Sequence, residues 1–278
     1  MHADTRCALS TTRAMQMEDV LLLPTLARAI RSNGRGSGLG VGQGVFIELG
    51  ALDGQQFSNT MMLERCFGWR GMLIEANPTN FAKLNTSCRA AALLSSAICK
   101  DKGTVRMSLD GAATSGELGY LTRRRSKKRA ARAVDVQCEP LSTLMARAGY
   151  PRADFLSLDV EGAEAKVLET VDPTAFQVVM VERNSASEAR VRQLMHKSGM
   201  IKAVNVTVPF SDVWLRPGVQ EVTVHGVVHP KRLSYTETKV SVPAASLDMA
   251  LHSFEGISGP RHLTNSTALY CARCFGSA

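Results

Sequence analysis

Acidic side chains follow short apolar runs at three places in this chain, and at two of the three glycines come just after the acid. In VFIELGALDGQQFSNT, Val45 to Thr60, the pattern Glu48-x-Gly50-x-x-Asp53-Gly54 comes after Val45, Phe46 and Ile47. In GMLIEANP the acid is Glu75, two residues before Asn77-Pro78. In FLSLDVEGAE, Asp159 and Glu161 follow Phe155, Leu156 and Leu158, and Gly162 comes next. Such runs are strands covered on both faces. In an open α/β sheet, ligands lie in the crevice beyond the strands' carboxyl ends, so all three acid groups should face one space. Glycine there lets backbone approach a ligand closely. A carboxylate at Glu75 can accept hydrogen bonds from both hydroxyls of a ribose, and Asp159 or Glu161 can orient or deprotonate a substrate hydroxyl. The competing reading is structural: Glu75 as a solvated acid near a helix start, and Glu161 or Glu164 as a helix cap.

Two phosphate-binding loops are excluded. No window satisfies Gly-x-Gly-x-x-Gly or the Walker pattern. The alternating glycines of SNGRGSGLGVGQG, Ser32 to Gly44, precede a strand where a nucleotide loop would follow one, and read as a linker. The ligand expected at Gly50 and Gly54 is therefore a nucleoside without a pyrophosphate to wrap.

Three separated stretches, ELGALDGQQFSNT, LERCFGWRGMLIEANP and FLSLDVEGAEAKVL, resemble in sequence and order the FkbM family of class I S-adenosylmethionine-dependent methyltransferases. The resemblance runs from about Glu18 to Leu215. It implies S-adenosylmethionine as cofactor, held around Glu48, Gly50, Ala51, Asp53, Gly54, Ser58, Asn59, Thr60, Glu75, Asn77 and Asp159, with Ser96 and Ala97 bordering the adenine. It implies O-methylation of a hydroxyl on a small molecule or sugar, with Asp159 and then Glu161 as catalytic candidates and no metal assigned. It also implies an α/β, doubly wound, mostly parallel seven-stranded sheet whose last strand is antiparallel. A nucleic-acid methyltransferase and a non-catalytic module with the same fold remain as alternatives.

The elements that must carry these residues are legible from periodicity. Strands are expected over 45–49, 71–75, 92–98, 104–109, 134–138, 155–158 and 177–181, with 204–208 and 219–228 closing the sheet. Helices are expected over 18–30, where Pro24 should kink or restart the helix, and over 59–67, 139–149, 163–171 and 187–198. Gly68, Gly149 and Gly199 are placed to end three of them. His196 falls on the last helix as a surface residue, while His225 and His229 lie near a closing strand. The expected organisation is an extension over 1–44, a catalytic domain over 45–228 with an inserted lid at about 110–133, and a tail over 229–278.

Composition narrows the partners. The chain has 278 residues, 45% of them hydrophobic, and its longest apolar runs are too short to span a membrane. Its net charge of +8 rests almost wholly on Arg123, Arg124, Arg125, Lys127, Lys128, Arg129 and Arg132, a solvated run that could meet an anionic partner. Arg6 and Arg13 among hydroxyl residues give the start a weak likeness to a transit peptide. The start also lacks the apolar region of a secretory signal, so the cytoplasm is expected first and an organelle second. Seven cysteines, an odd count, argue against a disulfide framework and agree with a reducing compartment. Cys271-x-x-Cys274 lacks the second pair that structural zinc needs. Asn85-Thr-Ser, Asn205-Val-Thr and Asn265-Ser-Thr match the glycosylation triplet, but without a secretory signal no carbohydrate is expected there.

Overall fold

A computed structural model describes residues 3–32, 44–109, 133–206, 208–224, 227–229 and 239–252. In chain order its strands are β1 (Val45–Leu49), β2 (Arg70–Glu75), β3 (Ala92–Ser95), β4 (Ala97–Ile98), β5 (Gly103–Ser108) and β6 (Ala133–Glu139). They continue as β7 (Ala153–Leu158), β8 (Phe176–Glu182), β9 (Ile201–Lys202), β10 (Ser211–Leu215), β11 (Val227–His229) and β12 (Lys239–Ser241). The helices are α1 (Ala3–Thr11), α2 (Glu18–Ser32), α3 (Met61–Phe67), α4 (Pro78–Leu84), α5 (Leu141–Arg147), α6 (Glu164–Leu168), α7 (Glu188–Lys197) and α8 (Ala244–His252).

Seven strands make one sheet in the order β3-β2-β1-β7-β8-β10-β9. β1, β2, β3, β7 and β8 are mutually parallel, and β10 is antiparallel to both neighbours. This is the expected doubly wound, mostly parallel seven-stranded α/β sheet. The period-two alternation of strand side chains divides its core cleanly. Phe46, Leu73, Phe155, Val178, Met180 and Val213 pack on one face with α1, α2, α3 and α8. Ile47, Ile74, Leu156, Val179, Val181 and Trp214 pack on the other with α5, α6 and α7.

Several elements differ from the sequence expectation. Helix α2 continues through Pro24 as one fifteen-residue element. Val20, Leu22, Leu23, Leu26 and Ile30 are wholly buried against the sheet, and this packing outweighs the hydrogen bond that proline removes. The closing strands are β9 and β10 in place of 204–208 and 219–228: Val213 and Trp214 alternate into the two cores, whereas Val206, Val208, Val219 and Val224 pack against one core only. The expected third strand breaks at Ser96: β3 stays in the main sheet, and β4 joins a second sheet of order β4-β6-β5. The lid at 110–132 with its basic run, most of the glycine linker, His225, and residues 253–278 with Cys271, Cys274 and Asn265 lie outside the described residues.

The cysteine expectation is overturned. Cys7 is bonded to Cys66, joining α1 to α3, and Cys99 to Cys138, joining the end of β4 to β6. Cys88 is disulfide-bonded as well. Among the described residues no helix is long and apolar enough to cross a membrane.

Candidate active site

The loop after β1 is shaped by three carboxylates that hold backbone. Gly50 and Ala51 donate their N–H groups to the Ile74 carbonyl at 3.1 and 3.2 Å, so the loop leans across the end of β2. Gly50 has φ 77°, and a Cβ there would stand 1.9 Å from the Asp159 carbonyl oxygen, a space only glycine leaves open. Glu75 takes the Leu52 N–H at 2.8 Å on one oxygen and the Asn77 N–H at 2.7 Å on the other. Burial pushes its carboxyl up to about 7 against those hydrogen bonds. Glu48 accepts from the Asn59 N–H at 2.8 Å, from Ser58 Oγ at 2.9 Å and from Thr60 Oγ1. Ser58 Oγ in turn accepts the Met61 N–H at 3.1 Å and so opens α3, while Gly68 closes it in the left-handed region as expected.

Behind this loop sits Arg89, which the sequence reading passed over. Its guanidinium donates to Glu64 at 3.1 Å, to the Gly54 carbonyl at 2.6 Å, to Ser58 Oγ at 3.1 Å and to Thr60 Oγ1 at 2.9 Å. The Arg89 and Glu64 side chains are essentially inaccessible. The signal in sequence is slight: one arginine after a helix, with partners 25 to 35 residues away.

The second acid group is arranged differently. Asp159 follows β7, and its carboxyl lies well above the ordinary range, first because protein surrounds it and next because Glu182 repels its charge and shares a hydrogen bond with it. Glu161 and Glu164 add to the repulsion. Asp159 nevertheless keeps accessible surface, and it does so as part of a pocket wall. Glu161 holds φ 57°, an uncommon conformation for a side-chain-bearing residue, and Leu52, Phe57 and Phe210 on the same pocket share it. Glu164 is fully buried and structural: it accepts the Gly162 N–H at 2.8 Å and the Ser187 hydroxyl. Among the described residues no set of three acidic, histidine or cysteine side chains is placed to hold a metal.

Both acid groups open on one pocket of about 360 Å³. Of the expected site residues, Glu48, Gly50, Asn59, Glu75, Ser96, Ala97, Asp159 and Glu161 line it. Ala51, Asp53, Gly54, Ser58, Thr60 and Asn77 do not, and each supports the wall instead. Asp53 turns the loop by accepting the Gln55 and Gln56 N–H groups, and Asn77 caps α4. Met15 and Glu18 from the amino-terminal segment, Val105 and Met107 from β5, and Glu182 complete the lining. His196 is on the surface, edge-on to Trp214.

The sequence profile described as the methyltransferase FkbM domain matches residues 48–201. The chain belongs to the FkbM methyltransferase family. No curated protein matches it. Solved structures similar to this FkbM chain include a precorrin-6y C5,15-methyltransferase from Geobacter metallireducens GS-15, at 13% identity over 78% of this chain and 83% of that one, TM-score 0.33. A protein described as a SAM dependent methyltransferase from Aquifex aeolicus is 12% identical over 77% and 97%, TM-score 0.34. The pyocyanin biosynthetic protein PhzM is 14% identical over 69% and 54%, TM-score 0.31.

Proposed function

We propose that this FkbM protein transfers a methyl group from S-adenosylmethionine to a hydroxyl of a small molecule or sugar. The observation that carries the reading is that the Asp159–Glu182 pair and the Gly50–Glu75 wall line a single pocket. The residues present fit the cofactor. Glu75, pinned at both oxygens by backbone N–H groups, keeps acceptor capacity for ribose hydroxyls, and Ile98, Val105 and Met107 give an apolar lining beside Ser96 and Ala97. Glu18, Asp159, Glu161 and Glu182 make the pocket acidic, which suits a cation. The cofactor supplies an electrophilic methyl carbon on a sulfonium.

The rest is work for this chain's side chains. Loop and strand ends would orient the acceptor hydroxyl beside the bound cofactor, and such positioning can supply about 7–11 kcal/mol of the barrier reduction. Ionised Asp159 accepts the hydroxyl proton as the oxygen attacks, and its raised proton affinity makes it a better base near neutral pH than an ordinary aspartate. Burial contributes most to that affinity, and Glu182 adds to it.

Isothermal titration with S-adenosylmethionine and S-adenosylhomocysteine, run beside Glu75→Ala, tests the cofactor, and a panel of hydroxylated acceptors then tests transfer. Binding by the wild type that weakens in the variant is expected. Well-folded wild-type protein that binds neither compound would sink the enzyme reading.

A further inference from the structure

We propose that this protein matures in an oxidising, glycosylating compartment and carries N-linked carbohydrate at Asn85 and Asn205. Two observations independent of the pocket lead there. The first is the pair of disulfides. Cys7–Cys66 and Cys99–Cys138 span 59 and 39 residues of sequence and each joins separate elements of the fold, and Cys66, Cys99 and Cys138 are buried. Such bonds persist where thiols are not kept reduced, and they are rare in the cytosol. The cytoplasmic expectation loses the part of its support that came from cysteine usage.

The second is the state of the acceptor triplets. Asn85 stands exposed at the carboxyl end of α4, and Asn205 is exposed in the loop after β9. Among the described residues neither side-chain amide makes a hydrogen bond, and neither residue lines the pocket, so attached sugar would leave its walls untouched. Ser87, the third residue of the first triplet, is 4% exposed, and its hydroxyl has no hydrogen-bond partner among the described residues. A buried hydroxyl without a partner costs stability, so the fold gives no reason for serine at 87. The triplet does, because the hydroxyl is read on the unfolded chain before burial.

The chemistry balances with reagents of known class. Asparagine Nδ2 forms a bond to the anomeric carbon of a lipid-diphosphate-linked sugar while the bond from that carbon to the phosphate oxygen breaks. The lipid diphosphate departs, and one amide proton is lost to a base. Each cysteine pair gives two protons and two electrons to a disulfide oxidant, which leaves as a dithiol.

The test uses the full chain isolated from its own cells. Release of N-glycans by an amidase converts each glycosylated asparagine to aspartate, so peptide mapping should read aspartate at 85 and 205. Alkylation in denaturant before reduction should leave Cys7, Cys66, Cys99 and Cys138 unlabelled. Ser87→Ala should remove the carbohydrate at 85 alone while the protein still folds, since that hydroxyl bonds nothing; Asn85→Gln gives the same reading by a second route. Asparagine at both positions in the wild-type map, or alkylation of the four cysteines without reduction, overturns the proposal.

Discussion

The two acid-bearing regions of the pocket use the same side chain in opposite ways. At the ends of β1 and β2, the Glu48 and Glu75 oxygens accept backbone N–H or hydroxyl donors, and Arg89 ties the loop from behind. At the ends of β7 and β8, Asp159 faces Glu182, with Glu161 close by, and the charges oppose one another. The first arrangement fixes a wall. The second raises the proton affinity of Asp159, which is the property the proposed base needs. Carboxylate count alone would have ranked the two regions as equals.

The sharpest way to break the comparison is Asp159→Asn. Transfer should fall by about 10²–10⁴-fold with cofactor affinity largely kept, as read by single-turnover assays beside titration. Loss of folding would move Asp159 to the structural side. Arg89→Ala should do the reverse: it strands Glu64 in the interior and should cost about 3–5 kcal/mol of stability, visible in denaturant unfolding. Retained stability would mean that the wall does not depend on its arginine. Glu75→Ala should cost about 1.5–3 kcal/mol of cofactor binding, which titration reads directly. Unchanged affinity would place the ribose elsewhere.

Smaller effects separate the regions by pH. Glu182→Gln removes the repulsion on Asp159, so the rising limb of the pH–rate profile should move to lower pH; an unmoved limb would uncouple the pair. Asp19, fully buried, has its carboxyl pushed up from 3.8 to about 7, mainly by burial, and its Oδ2 has no partner among the described residues, as suits a protonated oxygen. A carboxyl whose folded value is raised binds more protons folded than unfolded. Its contribution to stability is therefore complete below pH 3.8 and lost as pH rises through about 7. Asp19→Asn should flatten the fall in melting temperature over that window, and an unchanged slope would assign it to other groups.

How much of this was legible in sequence follows from the range of the interactions. Gly50, the Asn77 cap, Gly68 and the acids at strand ends announce themselves because a turn or cap is decided by residues within a few positions. Arg89, the two disulfides and the burial of α1 and α2 depend on partners tens of residues away, which a single sequence does not pair. The closing strands went wrong for a related reason. Runs of valine at 204–208 and 219–228 carry strand propensity, yet β10 took the position because Trp214 packs into the core on one face and Val213 on the other, and packing outranks propensity. Ser96 and Ala97 came only through family likeness, and they do line the pocket.

In the second sheet, Ser108 pairs directly with Ala133, and Cys138 at the other end of the same strand pair is bonded to Cys99. The chain thus leaves and returns at adjacent positions on a fixed rim, whatever lies between. Closing a loop on such a rim becomes costlier only slowly with length, by about 0.6 kcal/mol per doubling. Insertions can therefore be exchanged here like cassettes in a socket, without rebuilding the loop and strand ends that wall the pocket.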